Sequence, residues 1–154
     1  MIQAVWQPRK ALATLTVLGM LLAGASAASA ATVLESESNN SAATADAVSI
    51  GDTVLGQLNG PGGGADNDYF AFAAPTGGTV TVTFSSDGGT SEIVNQYISI
   101  IDATTATTLA TGGITPTNPS RTITFSKTAG HTYHVVVIKP TGFPALYGYH
   151  LAIS

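Results

Sequence analysis

A chain of 154 residues with 5 basic against 9 acidic residues and a formal charge of −4 is about one domain long. The absence of cysteine excludes a disulfide framework, a thiolate metal site and a cysteine nucleophile. The acidic balance argues against nucleic-acid binding, which needs a basic stripe to displace phosphate counterions, and 44% hydrophobic residues is too many for a disordered chain.

In chain order, residues 1–30 read as a secretory signal peptide. Arg9 and Lys10 form a positive start, Ala11 to Leu22 is an almost unbroken apolar run, and Ala28-Ser29-Ala30 offers a small-x-small cleavage pattern. The run is too short for the ~20 residues that cross a bilayer, so no membrane span is expected after cleavage. Arg9-Lys10 is not a twin-arginine pair, which favours the general secretory route and a secreted, extracellular or periplasmic, product. The remaining chain keeps three cations against all nine acids. Every acid lies in residues 31–120 and every remaining cation in 121–154. So one-sided a field calls for counter-ions or a bound cation.

Residues 31–46 form an acidic N-terminal segment, and 47–154 one β-rich domain. Ser41–Val48, with Asn39, Asn40 or Ser41 as N-cap, is the only helical candidate, one or two turns long. From there the apolar period is two. Val54–Leu58, Tyr69 to Phe72, Thr79 to Ser85, Ile98–Ile101, Thr107–Ala110, Thr122 to Ser126, Tyr133 to Ile138 and Tyr147 to Ile153 predict about eight strands. Tyr133 to Ile138 is the most continuous apolar run, as in a central strand partly covered on its second face. Gly-rich turns separate the strands: Asn59 to Gly64, Thr76-Gly77-Gly78, Asp87-Gly88-Gly89, Gly112-Gly113, Ala129-Gly130 and Pro140-Thr141-Gly142. Many short strands with such turns indicate an all-β antiparallel sandwich.

Two acidic clusters carry the candidate chemistry. In Glu35-Ser36-Glu37-Ser38-Asn39-Asn40, an extended backbone points residues 35, 37 and 39 the same way. Asp66-Asn67-Asp68 stands directly before Tyr69-Phe70-Ala71-Phe72. Ca²⁺ takes six to eight oxygens from carboxylates, amides and carbonyls, which these stretches supply with no basic residue near in sequence. The plainer alternative is two solvated loops, with Asp66 or Asn67 making a turn. The spacing is not that of an EF-hand.

The order Glu35-x-Glu37-x-Asn39-Asn40, Gly56-Gln57-Leu58, Asp66-x-Asp68-Tyr69-Phe70-x-Phe72, Ile100-Ile101-Asp102-Ala103, Ala129-Gly130-x-x-Tyr133 and Tyr149-x-Leu151-x-Ile153 resembles the bacterial pre-peptidase C-terminal domain family. Its relatives include the collagen-binding domains of clostridial collagenases. The resemblance spans the chain after residue 30 and implies a jelly-roll-like sandwich with a non-catalytic, accessory role. It further implies that Glu35, Glu37, Asn39 and Asn40 meet Asp66 and Asp68 around calcium. Ala71 stands where the family commonly has a larger polar residue, and the Gly60–Gly64 loop is unusually glycine-rich.

Catalytic signals are sparse. His131 and His134, three apart on a strand, face opposite ways and cannot share one ion. His150 is expected on the exposed face of the last strand. No H-E-x-x-H, G-x-S-x-G or S-x-x-K motif occurs. The expected function is a secreted, non-catalytic, calcium-stabilised binding module that attaches to an extracellular polymer or protein. Tyr97, Tyr133, Tyr147 and Tyr149 are candidates for its binding face, against the favoured plainer reading that each packs in the core or lies on an ordinary sheet face. The alternative is a structural or matrix protein that self-assembles as a homo-oligomer through sheet edges.

Overall fold

The computed structural model describes residues 30–58, 66–87, 96–139 and 147–154. The signal-peptide core, the Gly60–Gly64 loop, most of the Asp87-Gly88-Gly89 turn and the Pro140-Thr141-Gly142 turn lie outside the described residues. Ten strands form among the residues described: β1 (Thr32–Leu34), β2 (Asp46–Ala47), β3 (Thr53–Leu58), β4 (Asp66–Ala73), β5 (Gly78–Ser86), β6 (Gln96–Asp102), β7 (Thr107–Ile114), β8 (Ser120–Lys127), β9 (Thr132–Lys139) and β10 (Tyr147–Ile153). They make two five-stranded sheets, ordered β1-β3-β10-β5-β8 and β2-β4-β9-β6-β7. This is the expected sandwich. The two strands not foreseen, β1 and β2, are short edge strands paired parallel to β3 and β4.

The helix expected over Ser41–Val48 does not form. Its first half is a turn, in which Thr44 N donates to the Ser41 carbonyl (3.0 Å) and the two hydroxyls lie 2.8 Å apart. Its second half becomes β2. Ser, Thr and Asp compete with helical hydrogen bonding through their own side chains, and here the ladder offered by β4 wins.

Alternation builds the core. Phe70 and Phe72 of β4, Val80, Val82 and Phe84 of β5, Tyr133, Val135 and Val137 of β9, and Tyr149, Leu151 and Ile153 of β10 point between the sheets and are buried. Tyr133 stacks on Phe72 with ring centroids 5.4 Å apart and tilts against Phe125 at 5.5 Å. Tyr149 meets Phe84 edge-on at 5.8 Å. β9 is the central strand of its sheet, flanked by β4 and β6. Val136, on its outward face, is also only 3% exposed, as the continuous apolar run implied. Inward alternation continues past the aromatics to one end of the sandwich, where the inner face of β4 turns from Phe72 and Phe70 to Asp68 and Asp66. That end carries the candidate site.

Candidate metal centre

β1 delivers the first carboxylate. Its parallel pairing with β3 continues one residue beyond Leu34: Glu35 N donates to the Leu55 carbonyl (3.0 Å), and Glu35 Oε2 accepts from Gln57 N (2.5 Å). Alternation turns Leu34 outward, 71% exposed, and Glu35 inward. β4 delivers the second. Asp68 is fully buried, and its Oδ2 accepts a 2.6 Å hydrogen bond from the Tyr149 hydroxyl, reaching from the opposite sheet. The third, Glu37, is solvent-exposed. One carboxylate oxygen from each of Glu35, Glu37 and Asp68 lies within 4.8 Å of the other two.

Asp46 holds the connecting segment. Its carboxylate accepts from Ser36 N (2.9 Å), Ser36 Oγ (2.5 Å) and Asn39 Nδ2 (3.2 Å). The Asn39 carbonyl takes Tyr69 N (3.0 Å), which stitches the segment to β4 beside Asp68. Asn40, with its amide nitrogen turned toward the acceptors, donates to Asp66 Oδ1 (2.9 Å) and the Asn67 carbonyl (3.1 Å). The Glu37–Ser38 peptide is cis.

The six residues singled out from sequence therefore divide. Glu35, Glu37 and Asp68 converge, while Asn40 and Asp66 hydrogen-bond to each other. Asn39 is fully buried with its Oδ1 lacking a hydrogen-bond partner. Asp66 also lies directly across the β4–β9 ladder from buried Lys139, so the sheet brings a cation beside the second cluster that sequence proximity does not.

The electrostatics are those of crowded, partly dried carboxylates. Burial pushes the Asp68 carboxyl up to about 8 despite the Tyr149 hydrogen bond, with the charges of Glu35, Asp66 and Glu37 adding to the rise. Burial likewise raises Glu35 to about 7, opposed by the Gln57 N–H and by hydrogen bonding with the Asp68 carboxyl, and reinforced by Glu37 and Asp66. The Tyr149 hydroxyl is pushed far above its ordinary range by burial and by Asp68, and stays protonated as a donor. Five buried side-chain polar atoms among the described residues have no hydrogen-bond partner: two are oxygens of this cluster, Glu35 Oε1 and Asp68 Oδ1, and a third is Asn39 Oδ1 in the connecting segment. Such atoms cost about 1–3 kcal/mol each unless something else satisfies them. An open cleft of about 370 Å³, lined by Glu35, Glu37, Gln57, Asp87 and Gly148 among others, leads from solvent to the carboxylates.

Sequence reasoning did not foresee two contributors, Asp46 and Tyr149. Asp46 has no local signal, because its partners lie seven and ten residues away. Tyr149 and Tyr133 were candidates for an exposed binding face, but each is 1% exposed and packs in the core. The alternation Tyr149, Leu151, Ile153 already pointed to that burial. Tyr97 is 46% exposed. The side chain of Tyr147 lies outside the described residues. His150 is exposed as expected, while His131 and His134 are half-buried. His150 pairs with Asp87 (3.0 Å), and His131 Nδ1 lies 2.8 Å from Asp102. Burial works against the charge of Asp102, but hydrogen bonds from His131, Thr105 N and Thr104 N hold its carboxyl below the usual range.

No protein-family model and no curated protein sequence matches the chain. Among solved structures, the pre-peptidase C-terminal domain of collagenase from Bacillus anthracis superposes with a TM-score of 0.56 at 14% identity. The match covers 71% of this chain and 94% of that domain. The fold is of the pre-peptidase C-terminal type. At that identity the likeness concerns the sandwich and its strand arrangement alone. Among the described residues, no helix is long and apolar enough to cross a membrane.

Proposed function

We propose that this protein is a secreted, non-catalytic binding module of the pre-peptidase C-terminal type, stabilised by a calcium ion held by Glu35, Glu37 and Asp68. The observation that carries the reading is the set of unsatisfied buried oxygens on Glu35, Asn39 and Asp68, beside three carboxylates within 4.8 Å of one another. A divalent cation supplies the positive charge and the coordination that these oxygens lack. The donors are all oxygen, with no imidazole or thiolate, which favours a hard ion such as Ca²⁺ over zinc. Asn39 Oδ1, main-chain carbonyls and water are the available sources of further ligands.

The chemistry such an ion supplies is structural. It fixes residues 35–40, an irregular segment, against β3 and β4. Tyr149 keeps Asp68 oriented, Gln57 N orients Glu35, and Asp46 keeps Ser36 and Asn39 in place. The likeness of the fold to the collagenase domain supports the accessory role. The partner class that fits is an extracellular polymer or protein. Self-assembly as a matrix has less support. Of the four edges, β1 and β2 are short and β8 carries Arg121 and Lys127, the kind of charge that blocks edge pairing, which leaves the uncharged β7 as the one long edge a matrix could use.

Extracellular modules bind Ca²⁺ with dissociation constants of ~10⁻⁴–10⁻³ M. At about 1 mM calcium this adds roughly 0.4–1.4 kcal/mol, or a rise of roughly 2–6 °C in melting temperature at this chain length. Thermal melting in calcium and in chelator tests the reading, and Glu37→Ala is expected to abolish the difference. Identical wild-type curves would contradict the calcium site. Co-sedimentation with collagen, chitin and cellulose then tests the binding role.

A further inference from the structure

Asp52, in the turn before β3, is a buried carboxylate that the metal centre does not use. It is 6% exposed, and its two oxygens accept from main-chain groups: Oδ2 from Ser49 N (2.8 Å) and Oδ1 from Ala31 N (3.0 Å). No lysine, arginine or histidine among the described residues pairs with it. A buried carboxylate held by neutral amides alone lacks a counter-ion. The Ala31 nitrogen is the atom that cleavage after Ala28-Ser29-Ala30 would convert into a chain terminus. We propose that the α-ammonium released by cleavage between Ala30 and Ala31 docks on Asp52 as an ion pair that locks the processed chain.

The proposal rests on the secretory reading of residues 1–30. A signal peptidase adds water across the Ala30–Ala31 amide, leaving a carboxylate on Ala30 and an amine on Ala31 that takes up a proton. The nitrogen is already seated. The Ala31 carbonyl accepts from Thr53 N (2.8 Å), so the first residue of the processed chain is held on both sides of its Cα, by Asp52 and by the start of β3. Around the carboxylate, Asp52 N donates to the Ser49 carbonyl (3.1 Å). The Asp52 carbonyl accepts from Ile153 N (3.0 Å), which anchors the same turn to β10. Ala30 passes over Gly51, whose φ of +110° suits glycine, and a Cβ there would lie 3.9 Å from the Ala30 Cα. Departure of Ala30 opens that side of the nitrogen to water. Cleavage thus exchanges an amide–carboxylate hydrogen bond for one between an ammonium and a carboxylate, adding the missing positive charge without moving the acceptor.

The test compares residues 31–154 with a free α-amine against the same chain N-acetylated, each as wild type and as Asp52→Asn. Acetylation keeps an N–H and removes the charge. The free-amine wild type is expected to melt about 3–6 °C above its acetylated form, and the difference is expected to vanish in Asp52→Asn, which retains an acceptor for Ser49 N. If that variant does not fold, a wild-type chain with Gly-Ala added before Ala31 replaces it, and is expected to melt with the acetylated form. Equal melting of the free and acetylated wild type overturns the proposal, as does a difference that persists in Asp52→Asn or in the extended chain. Mass spectrometry of the full chain secreted from a bacterial host is expected to show Ala31 as the first residue. A different terminus overturns the processing step, a failure the melting comparison does not share.

Discussion

Asp68 shows how one residue can take two roles according to its protonation. Its side chain sits where β4 passes from core aromatics to polar residues, with one oxygen on Tyr149 and the other unsatisfied. The raised values of about 8 for Asp68 and about 7 for Glu35 mean that, with no cation bound, the folded protein holds protons that the unfolded chain releases near pH 4. In calcium-free buffer, stability is therefore expected to fall as pH rises from about 5 to 8, because the unfolded state binds fewer protons over that range. Denaturant unfolding at the two pH values checks this. Asp68→Asn is expected to flatten the dependence and calcium to offset it; stability that rises with pH would contradict the account. The acidic run was legible in sequence as a ligand-rich stretch. Which acids converge was not, because Asp46, Asp52 and Asp102 look the same in sequence and instead accept main-chain hydrogen bonds in turns and short links.

Between elements, the site depends on how closely β10 approaches β3. Gly56 of β3 faces Tyr149, and a Cβ at Gly56 would fall 2.2 Å from the Tyr149 Cζ and 2.3 Å from its hydroxyl. Gly56→Ala must displace the ring that orients Asp68. A loss of about 1–3 kcal/mol is expected from such overpacking, together with loss of the calcium response in melting. Tyr149→Phe leaves the core packing and removes the hydroxyl that donates to the Asp68 carboxylate, at a cost of about 1–3 kcal/mol. A Tyr149→Phe protein as stable as wild type, with an undiminished calcium response, would show that Tyr149 does not position Asp68. The strands themselves were largely readable, because alternation and Gly-rich turns are local, although Gly112-Gly113, expected as a turn, continues β7 in register with Ile98 and Tyr97. β1 and β2 were not. They are three and two residues long, and only pairing with β3 and β4 makes them strands, so tertiary hydrogen bonding overrode the helix-like signal at Ser41–Val48.

At the scale of the molecule, the uneven charge of the sequence becomes a spatial arrangement. The three cations after residue 120 lie on β8 and β9, where Lys139 faces Asp66 across the ladder and Arg121 and Lys127 stand near the ends of an edge strand. Acids and cations distant in sequence are thereby brought together. The carboxylates of Glu35, Glu37 and Asp68 form a separate cluster at one end of the sandwich. With three of the four sheet edges short or charged, the protein is expected to elute as a monomer in size-exclusion chromatography with or without calcium; calcium-dependent oligomers would favour the matrix role instead, with the uncharged edge β7 as its seam. The central claim is that this cluster holds one calcium ion, and calcium titration calorimetry tests it most directly. One ion per chain with a dissociation constant of ~10⁻⁴–10⁻³ M, lost in Glu37→Ala, is the predicted result. No calcium heat in the wild type, or binding unchanged in Glu37→Ala, would contradict it.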